Sequence, residues 1–396
     1  MLRKKTMVLV LLTAVIGLLV AACGSDPTAT PAPTPTPTTP VGEPTPTVDP
    51  FVAQWAELVA AAQAEGEVQT FICCGLGRAL TDVIAAFEAK FDVKVINSTG
   101  GSSQQVVKVQ AERAAGQFTL DVWIGGLATV TDILIPEGMV DPIKPLIIHP
   151  EVLDASKWYT GKLPFLGPDD GAYIFGLSAN ANLANLGYNT ELLPDPTVIQ
   201  SYSDLLKPEF NGKIVMQDPR FPGMANGLPF YLNHPDLGES FMRSLITETN
   251  MTFLEARPLA EAVALGKYTL CIFCGRDLGT IKRDGAPVQD NFPHSLAEGA
   301  TIGVGGESLY FVNGAPHPNA AKLFINWLLT PEGMLLAQQA SGADSLRIDL
   351  PNDGVDEGDI RLDGVEYYWG ESIPGFTDQI NPAQALMRKI MDEAGL

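Results

Sequence analysis

The sequence predicts an α/β protein whose folded body has two lobes, and two observations support this. Helical and strand patterns alternate from Phe51 onward, which is typical of a mostly parallel sheet covered by helices on both faces. About 345 residues follow that point, which is more than one hydrophobic core usually serves. We therefore expect two parallel-dominated sheets, one in each lobe.

The first 22 residues have the pattern of a secretory signal. A positive start, Arg3–Lys5, precedes an apolar run from Met7 to Val20, and two alanines then lead into Cys23. This order indicates an export signal that is cleaved from the mature chain. A transmembrane anchor is the alternative, but the apolar run is shorter than the roughly 20 residues that span a bilayer. Small residues before a cysteine resemble a bacterial lipobox, which implies that Cys23 becomes the lipidated N-terminus.

Residues 23–50 are predicted to be a linker. Nine prolines occur between residues 24 and 50, mostly alternating with Thr and Ala. Proline lacks a backbone donor and fixes φ, so a helix or a central strand cannot form there. The composition favours an extended, semi-rigid spacer of about 3.1 Å per residue. A tract recognised by another protein is the alternative.

The elements of the body are predicted from hydrophobic periodicity and from breakers. Gly66 ends the first helix, and Pro331 separates two helices near the C-terminus. The segment from Leu350 to Gly364 is rich in Asp and Gly and is predicted to be a loop. Helices are predicted at Trp55–Ala64, Leu80–Lys90, Ser102–Ala115, Leu259–Leu265 and Pro318–Ala340, and strands at Val68–Ile72, Val93–Ile96, Leu120–Ile124, Lys213–Met216 and Tyr268–Phe273.

The composition narrows the function classes. The chain has 25 basic and 46 acidic residues, a net charge of −21, and this acidity argues against nucleic-acid binding, which needs a basic footprint. No nucleophile elbow, Walker loop or zincin helix is present, so we expect no enzyme activity and no resident cofactor. We also expect a monomer.

Four cysteines remain besides Cys23, and they leave three interpretations open. Disulfides are expected in an exported protein, with Cys271 paired to Cys274 and Cys73 to Cys74. Four thiolates meeting between the lobes would instead hold a soft metal ion, although adjacent cysteines make a poor half-site. A disulfide that crosses the lobes is the third interpretation, and it would restrict their movement.

Candidate binding residues follow the predicted strands of the first lobe. Cys73 and Cys74 end the first strand, and the turn from Gly75 to Arg78 then opens a helix. Free N–H groups at a helix start can bind an anion, and an arginine adds donors. A plain turn with a surface arginine is the alternative for Arg78. Ser102 either caps its helix or offers a hydroxyl to ligand, and capping is favoured.

The other candidates are an aromatic residue at a strand end and a group in the second lobe. Trp123 ends the third strand and forms either a wall of the ligand cleft or part of the core, with the cleft wall slightly favoured. Tyr188 lies near an expected passage between the lobes and is a candidate hinge residue. The end of the strand from Tyr268 contributes Cys274, Arg276 and Asp277.

An ordered set of segments resembles the bacterial ferric-iron-type extracellular solute-binding proteins. The matching segments are Trp55–Leu58 with Ala64–Val68, Ala111–Gly116 with Asp121-Val122, Gly187–Thr190, Ser203–Ile214, Asp218-Pro219 and Pro316–Gly333. The resemblance implies a two-lobed type II periplasmic binding protein fold in which the chain passes twice between the lobes, near residues 170–188 and 298–310. Residues 51–170 with about 305–396 are then expected to form lobe 1, and about 171–304 lobe 2.

The resemblance also implies a function. It predicts a substrate-binding lipoprotein of an ABC importer, outside the cytoplasm and tethered to the cell membrane, which captures a solute by closing its lobes and delivers it to a membrane permease. Ferric-binding relatives use two adjacent tyrosines at a strand end, where this chain has Phe273 and Cys274. The missing tyrosine pair weakens the expectation of iron. The glycine-flanked helix starts with Arg78 and Arg276 favour a small anionic or zwitterionic solute, and the cysteines allow a metal ion. An exported thiol redox protein using Cys271 and Cys274, and a ligand sensor presenting to a receptor, are alternatives.

Overall fold

The fold of the chain is that of a computed structural model. The structure describes residues 49–73, 80–167, 172–220, 227–303, 307–355, 359–370 and 376–396. The predicted signal peptide and nearly all of the predicted linker lie outside these residues. Among the described residues, no helix combines the length and the apolar character needed to cross a membrane.

Helices and strands alternate as expected in the first third of the chain. The helices are α1 Pro50–Glu65, α2 Thr81–Phe91, α3 Ser102–Ala114, α4 Leu127–Thr129, α5 Pro150–Leu153, α6 Leu228–Asn233, α7 Gly238–Glu248, α8 Ala256–Ala264, α9 Gly275–Arg283, α10 Pro318–Leu328, α11 Pro331–Ser341 and α12 Phe376–Glu393. The strands are β1 Glu67–Cys73, β2 Lys94–Gly100, β3 Val122–Gly125, β4 Val140–Asp141, β5 Phe165–Leu166, β6 Ile174–Gly176, β7 Ser178–Asn182, β8 Leu186–Asn189, β9 Ile214–Gln217, β10 Thr252–Leu254, β11 Leu270–Ile272, β12 Val288–Gln289, β13 Ala300–Gly303, β14 Ser308–Val312, β15 Asp344–Ser345 and β16 Tyr367–Trp369.

The first sheet has the strand order β2-β1-β3-β14-β6-β5, with β4 added beside β14. Strands β2, β1 and β3 are parallel, whereas β14 runs antiparallel to β3, β4 and β6. The parallel strands therefore form one half of the sheet, and the α/β prediction is confirmed with a mixed rather than a wholly parallel sheet.

The helices around this sheet build one hydrophobic core. The ring of Phe87 on α2 lies 5.1 Å from that of Phe324 and 5.4 Å from that of Trp327 on α10. Helix α1 begins where the Asp49 side chain accepts the Phe51 N–H at 2.9 Å and ends at Gly66 with φ 81°. Both ends follow ordinary capping rules, so the prediction for this helix is confirmed.

The second sheet has the order β10-β9-β11-β8-β12. Strands β10, β9 and β11 are parallel, and β8 is antiparallel to both β11 and β12. Successive side chains of β11 point to opposite faces of this sheet, as in any β-strand, and so enter different hydrophobic clusters. Leu270 and Ile272 join one cluster, and Cys271 between them joins the cluster on the other face.

A third sheet, of order β15-β7-β13-β16, joins the two lobes. Strand β7 leads from the first sheet into the second, and β13 leads back. The two strands pair antiparallel, with Thr301 opposite Asn182. They fall inside the two ranges in which passages between the lobes were expected.

The last helix corrects the expected lobe boundaries. Residues from about 305 to 396 were all expected in lobe 1, but α12 packs against α6 and α7 of lobe 2. Its buried residues occur at helical spacing and join the second core: Ala383, Met387, Ile390 and Met391. The chain therefore passes between the lobes three times, and β15 and β16 mark the third passage. The expectation of two passages was wrong because no helix was predicted after residue 364.

Candidate functional site

The carboxyl ends of the parallel strands meet at one edge of the first sheet. Cys73 of β1 is level with Gly100 of β2, and Ile72 is level with Ile124 of β3. Gly125 follows Ile124, so the turns after all three strands start side by side. Ligands of open α/β sheets bind beyond such ends, which makes this edge one wall of the candidate site.

A close approach at Gly125 defines the centre of this wall. A Cβ on Gly125 would lie 2.6 Å from Nε1 of Trp123 and 3.5 Å from the Ser102 hydroxyl oxygen, so only glycine fits there. The Trp123 side chain is 1% exposed, and its ring contacts Phe71 at 4.7 Å. Trp123 therefore belongs to the core, and the slight preference for a cleft wall was wrong for its ring.

Two buried polar atoms near this turn have no hydrogen-bond partner among the described residues. They are Nε1 of Trp123 and the hydroxyl oxygen of Ser308. Ser308 is opposite Gly125 in the β14–β3 pair, and sequence reasoning missed it because a single serine carries no motif. A buried polar group without a partner costs about 1–3 kcal/mol, so a polar group that reaches either atom would remove this cost.

Ser102 does not cap α3, contrary to the favoured expectation. Gly101 is the N-cap, in extended conformation, and no side chain caps the helix. Gln104 and Gln105 donate their N–H groups to Gly101 O. The Ser102 hydroxyl therefore lies in the first turn beside Gly125, where it can contact a ligand.

The second lobe contributes the loop after β9. Arg220 forms a bidentate ion pair with Asp218, through Nε at 2.9 Å and Nη2 at 2.7 Å. Burial by itself would raise the pKa of Asp218, but the hydrogen bonds and charge of Arg220 outweigh burial and hold that pKa below its usual value. Gln384 of α12 donates to Pro219 O at 2.9 Å, so the last helix also holds this loop.

The Cys271–Cys274 disulfide is confirmed, with a Cα–Cα distance of 5.5 Å. Cys271 is 0% exposed and Cys274 5% exposed, and both pack against Gly187. Because they are bonded to each other, these two cysteines offer no thiolates to a metal ion and form no disulfide across the lobes. The interpretation in which four thiolates hold a soft metal ion is therefore wrong for this disulfide-bonded form. Cys73 is also disulfide-bonded, and its partner lies outside the described residues.

Most of the remaining predicted site residues lie outside the described part of the chain, and Asp277 is an exception. Cys74, Gly75 and Arg78 lie outside the described residues, as does the side chain of Arg276. Asp277 lies in the first turn of α9, with Oδ1 4.0 Å from Nη1 of Arg257, so it pairs within its own lobe. The structure thus brings Ser102 and Trp123 together and places Asp277 in the other lobe.

Tyr188 is a core residue of β8 rather than part of the joining sheet. Its ring stacks edge-to-face on Phe292 at 5.2 Å, and burial raises the pKa of its hydroxyl. It pairs with Leu270, at the end of β11 opposite Phe273. The expectation of a hinge or ligand role is therefore not supported by its position.

A pair of adjacent tyrosines occurs in β16, a strand that was not predicted from the sequence. Tyr367 accepts the Leu362 N–H at 2.9 Å and packs against the first core. Tyr368 packs against the second core, with its ring 5.6 Å from Phe230. Because neighbouring strand residues point to opposite faces, the two hydroxyls diverge and do not form a shared metal site. In the described part of the chain, no group of three or more His, Cys, Asp or Glu side chains could hold a metal ion.

Part of the chain is similar to a family of known proteins. Residues 82–241 match the sequence profile of the bacterial extracellular solute-binding proteins. An uncharacterised protein of Haemophilus influenzae is 26% identical over 315 residues, which cover 78% of this chain and 85% of that protein.

Solved structures of periplasmic binding proteins share the fold of this chain. The periplasmic binding protein AfuA from Actinobacillus pleuropneumoniae, with exogenous fructose-6-phosphate bound, is 20% identical with a TM-score of 0.60, over 83% of this chain and 99% of that one. Ferric iron-binding protein A from Mannheimia haemolytica, in an open conformation, is 15% identical with a TM-score of 0.63, over 83% and 98%. The periplasmic binding protein fold is thereby confirmed. Since these two neighbours are described with different ligands, the fold by itself does not select one.

Proposed function

We propose that this protein is a solute-binding protein, the lipid-anchored, extracytoplasmic capture component of an ABC importer. Its two lobes close on a small solute, and the closed form delivers that solute to a permease in the membrane. Cys23 carries the anchor, and the proline-rich segment holds the body away from the membrane. Binding involves no chemical conversion of the solute.

The observation that carries this proposal is the connection between the lobes. Each main sheet has its own hydrophobic core, and short paired strands join them. Two rigid bodies joined by a narrow sheet can rotate about it while each core stays intact, as in hinge closure around ligand. Strand ends of both sheets carry the candidate binding residues.

We infer that the ligand carries an oxyanion, such as a phosphate or a carboxylate. The unpartnered N–H of Trp123, the hydroxyls of Ser102 and Ser308 and the start of α3 all present hydrogen-bond donors at one edge of lobe 1. Such donors match acceptor oxygens. A bare metal ion is supported less well, because Tyr367 and Tyr368 diverge and two cysteines are disulfide-bonded.

The thiol redox alternative is disfavoured by burial. A redox cysteine must be accessible to a partner, whereas the Cys271–Cys274 bond lies inside a core. The sensor alternative predicts the same ligand site and differs only in the membrane partner.

The test begins with native purification and analysis of what stays bound, by mass spectrometry and by elemental analysis. Thermal melts with inorganic phosphate, fructose-6-phosphate and ferric citrate then rank the classes. A ligand at 100 times its Kd stabilises the folded state by about 2.7 kcal/mol, which is a shift of several degrees. An oxyanion that raises the melting temperature supports the proposal. Stabilisation by ferric ion alone, with no effect of any oxyanion, would overturn the ligand class.

A further inference from the structure

Two residues with left-handed backbone conformation meet where β8 and β11 face each other. Asn185 has φ 47° and Phe273 has φ 55°. The N–H of Phe273 donates to Asn185 O at 3.3 Å. Asparagine tolerates this conformation, but for a bulky residue such as phenylalanine it is a true outlier. Strain of this kind persists where the surrounding structure holds it, often at functional positions.

Phe273 is held on every side at the carboxyl end of β11. It lies between the two cysteines of the disulfide, and its ring stacks on Tyr231 at 5.3 Å. A Cβ on Gly227 would lie 2.2 Å from the Phe273 ring, so the ring is seated against the start of α6. Helix α9, which carries the predicted site residues of lobe 2, begins two residues later.

Asn185 contacts the joining sheet through its side chain. Its Nδ2 lies 2.9 Å from the Thr301 hydroxyl oxygen, and its Oδ1 lies 3.2 Å from the same atom. Thr301 is the residue of β13 that faces Asn182 of β7 and Tyr368 of β16. The Asn185 carboxamide therefore touches the strand about which the lobes rotate.

We propose that Asn185 is a positioning residue that couples the ligand-facing edge of lobe 2 to the hinge. Its carbonyl holds the Phe273 turn that starts α9, and its carboxamide holds Thr301. A rotation that moves β13 relative to β8 changes the contact between Thr301 and Asn185. Because Asn185 also holds the Phe273 turn, the rotation changes that turn as well. This inference rests on the proposed capture of ligand between the lobes.

The test is Thr301→Val, which removes the hydroxyl without touching Phe273. We expect hydrogen exchange of the Phe273 amide and of the first turn of α9 to become about fivefold faster, the factor that corresponds to a hydrogen bond of about 1 kcal/mol. Asn185→Gly keeps the backbone conformation and removes the carboxamide, so it should give the same result. Thr301→Ser should restore the wild-type rate.

A matched control is Thr247→Val, which removes a hydroxyl that donates to Arg243 O at 2.9 Å within α7. It should leave exchange at Phe273 unchanged. The proposal is overturned if Thr301→Val and Asn185→Gly accelerate exchange only in β7 and β13 and leave Phe273 at the wild-type rate. Calorimetry with inorganic phosphate should show several-fold weaker binding by Thr301→Val. If the wild type binds no phosphate, the proposed ligand class fails, and the exchange rates still decide the coupling.

Discussion

Gly187→Ala should destabilise lobe 2 because the disulfide occupies the space that the methyl group needs. A Cβ at this position would lie 2.6 Å from Leu278 Cδ2, 2.7 Å from Cys274 Sγ and 2.9 Å from Cys271 Sγ. All three neighbours are buried in one cluster, so none can move freely. Overpacking of this kind costs about 1–3 kcal/mol, and we expect a loss of about 2 kcal/mol in the free energy of unfolding.

The same substitution in a disulfide-free background separates overpacking from other causes. Replacing Cys271 and Cys274 with alanine opens a loop of only a few residues, which costs about 2 kcal/mol by loop entropy. It also removes both sulfur atoms that Gly187→Ala would strike. The triple variant should therefore be at least about 1 kcal/mol more stable than the sum of the separate losses predicts, since residues in contact are not additive.

Urea unfolding followed by tryptophan fluorescence measures each variant. Gly100→Ala is the control, because no atom lies within 4 Å of a Cβ there, and it should change the free energy of unfolding by less than about 0.5 kcal/mol. A Gly187→Ala protein as stable as the wild type, or losses that add fully in the triple variant, would refute the packing argument.

Three further predictions concern the site, the second-lobe loop and the last helix. Trp123→Phe removes the unpartnered N–H and should weaken binding of inorganic phosphate roughly tenfold in calorimetry; unchanged affinity would remove this atom from the site. Asp218 has a lowered pKa, so its stabilisation is present above the unfolded pKa and is lost as pH falls through the folded one. The melting temperature of Arg220→Gln should accordingly fall furthest below wild type above pH 5, with the gap narrowing towards pH 3; a gap independent of pH would contradict this. Met387→Ala should cost about 2–5 kcal/mol, whereas the exposed Lys389→Ala should stay within about 0.5 kcal/mol, both measured by urea unfolding.

Local patterns predicted the elements well where one sequence feature decides one structural feature. The apolar spacing from Trp55 to Ala64 and the glycine after it give α1 and its end. The spacing of Cys271 and Cys274 in an exported chain gives their disulfide. In these cases the partners are close in sequence, so no long-range arrangement had to be known.

The misses concern choices between partners that are distant in sequence. No helix was predicted over Met387 and Ile390, and periodicity does not say which of two cores an apolar stripe covers. Tyr367 and Tyr368 are adjacent in sequence, yet their strand lies between two cores and sends them apart. Trp123 at a strand end fits a core and a cleft equally well by pattern, and only the packing on Phe71 distinguishes them.

The docking of α12 has a consequence for biosynthesis. Lobe 2 is assembled from a middle segment and from α12, which follows the strands and helices of lobe 1 in the chain, so its core stays open until α12 has been synthesised. Domains that fold during synthesis generally do so from the N-terminus, and lobe 1 has its strands and its covering helices by residue 341. We therefore expect the nascent chain to carry a folded lobe 1 beside an unfolded lobe 2. A chain that stops before α12 should be degraded by quality control rather than act as a smaller receptor.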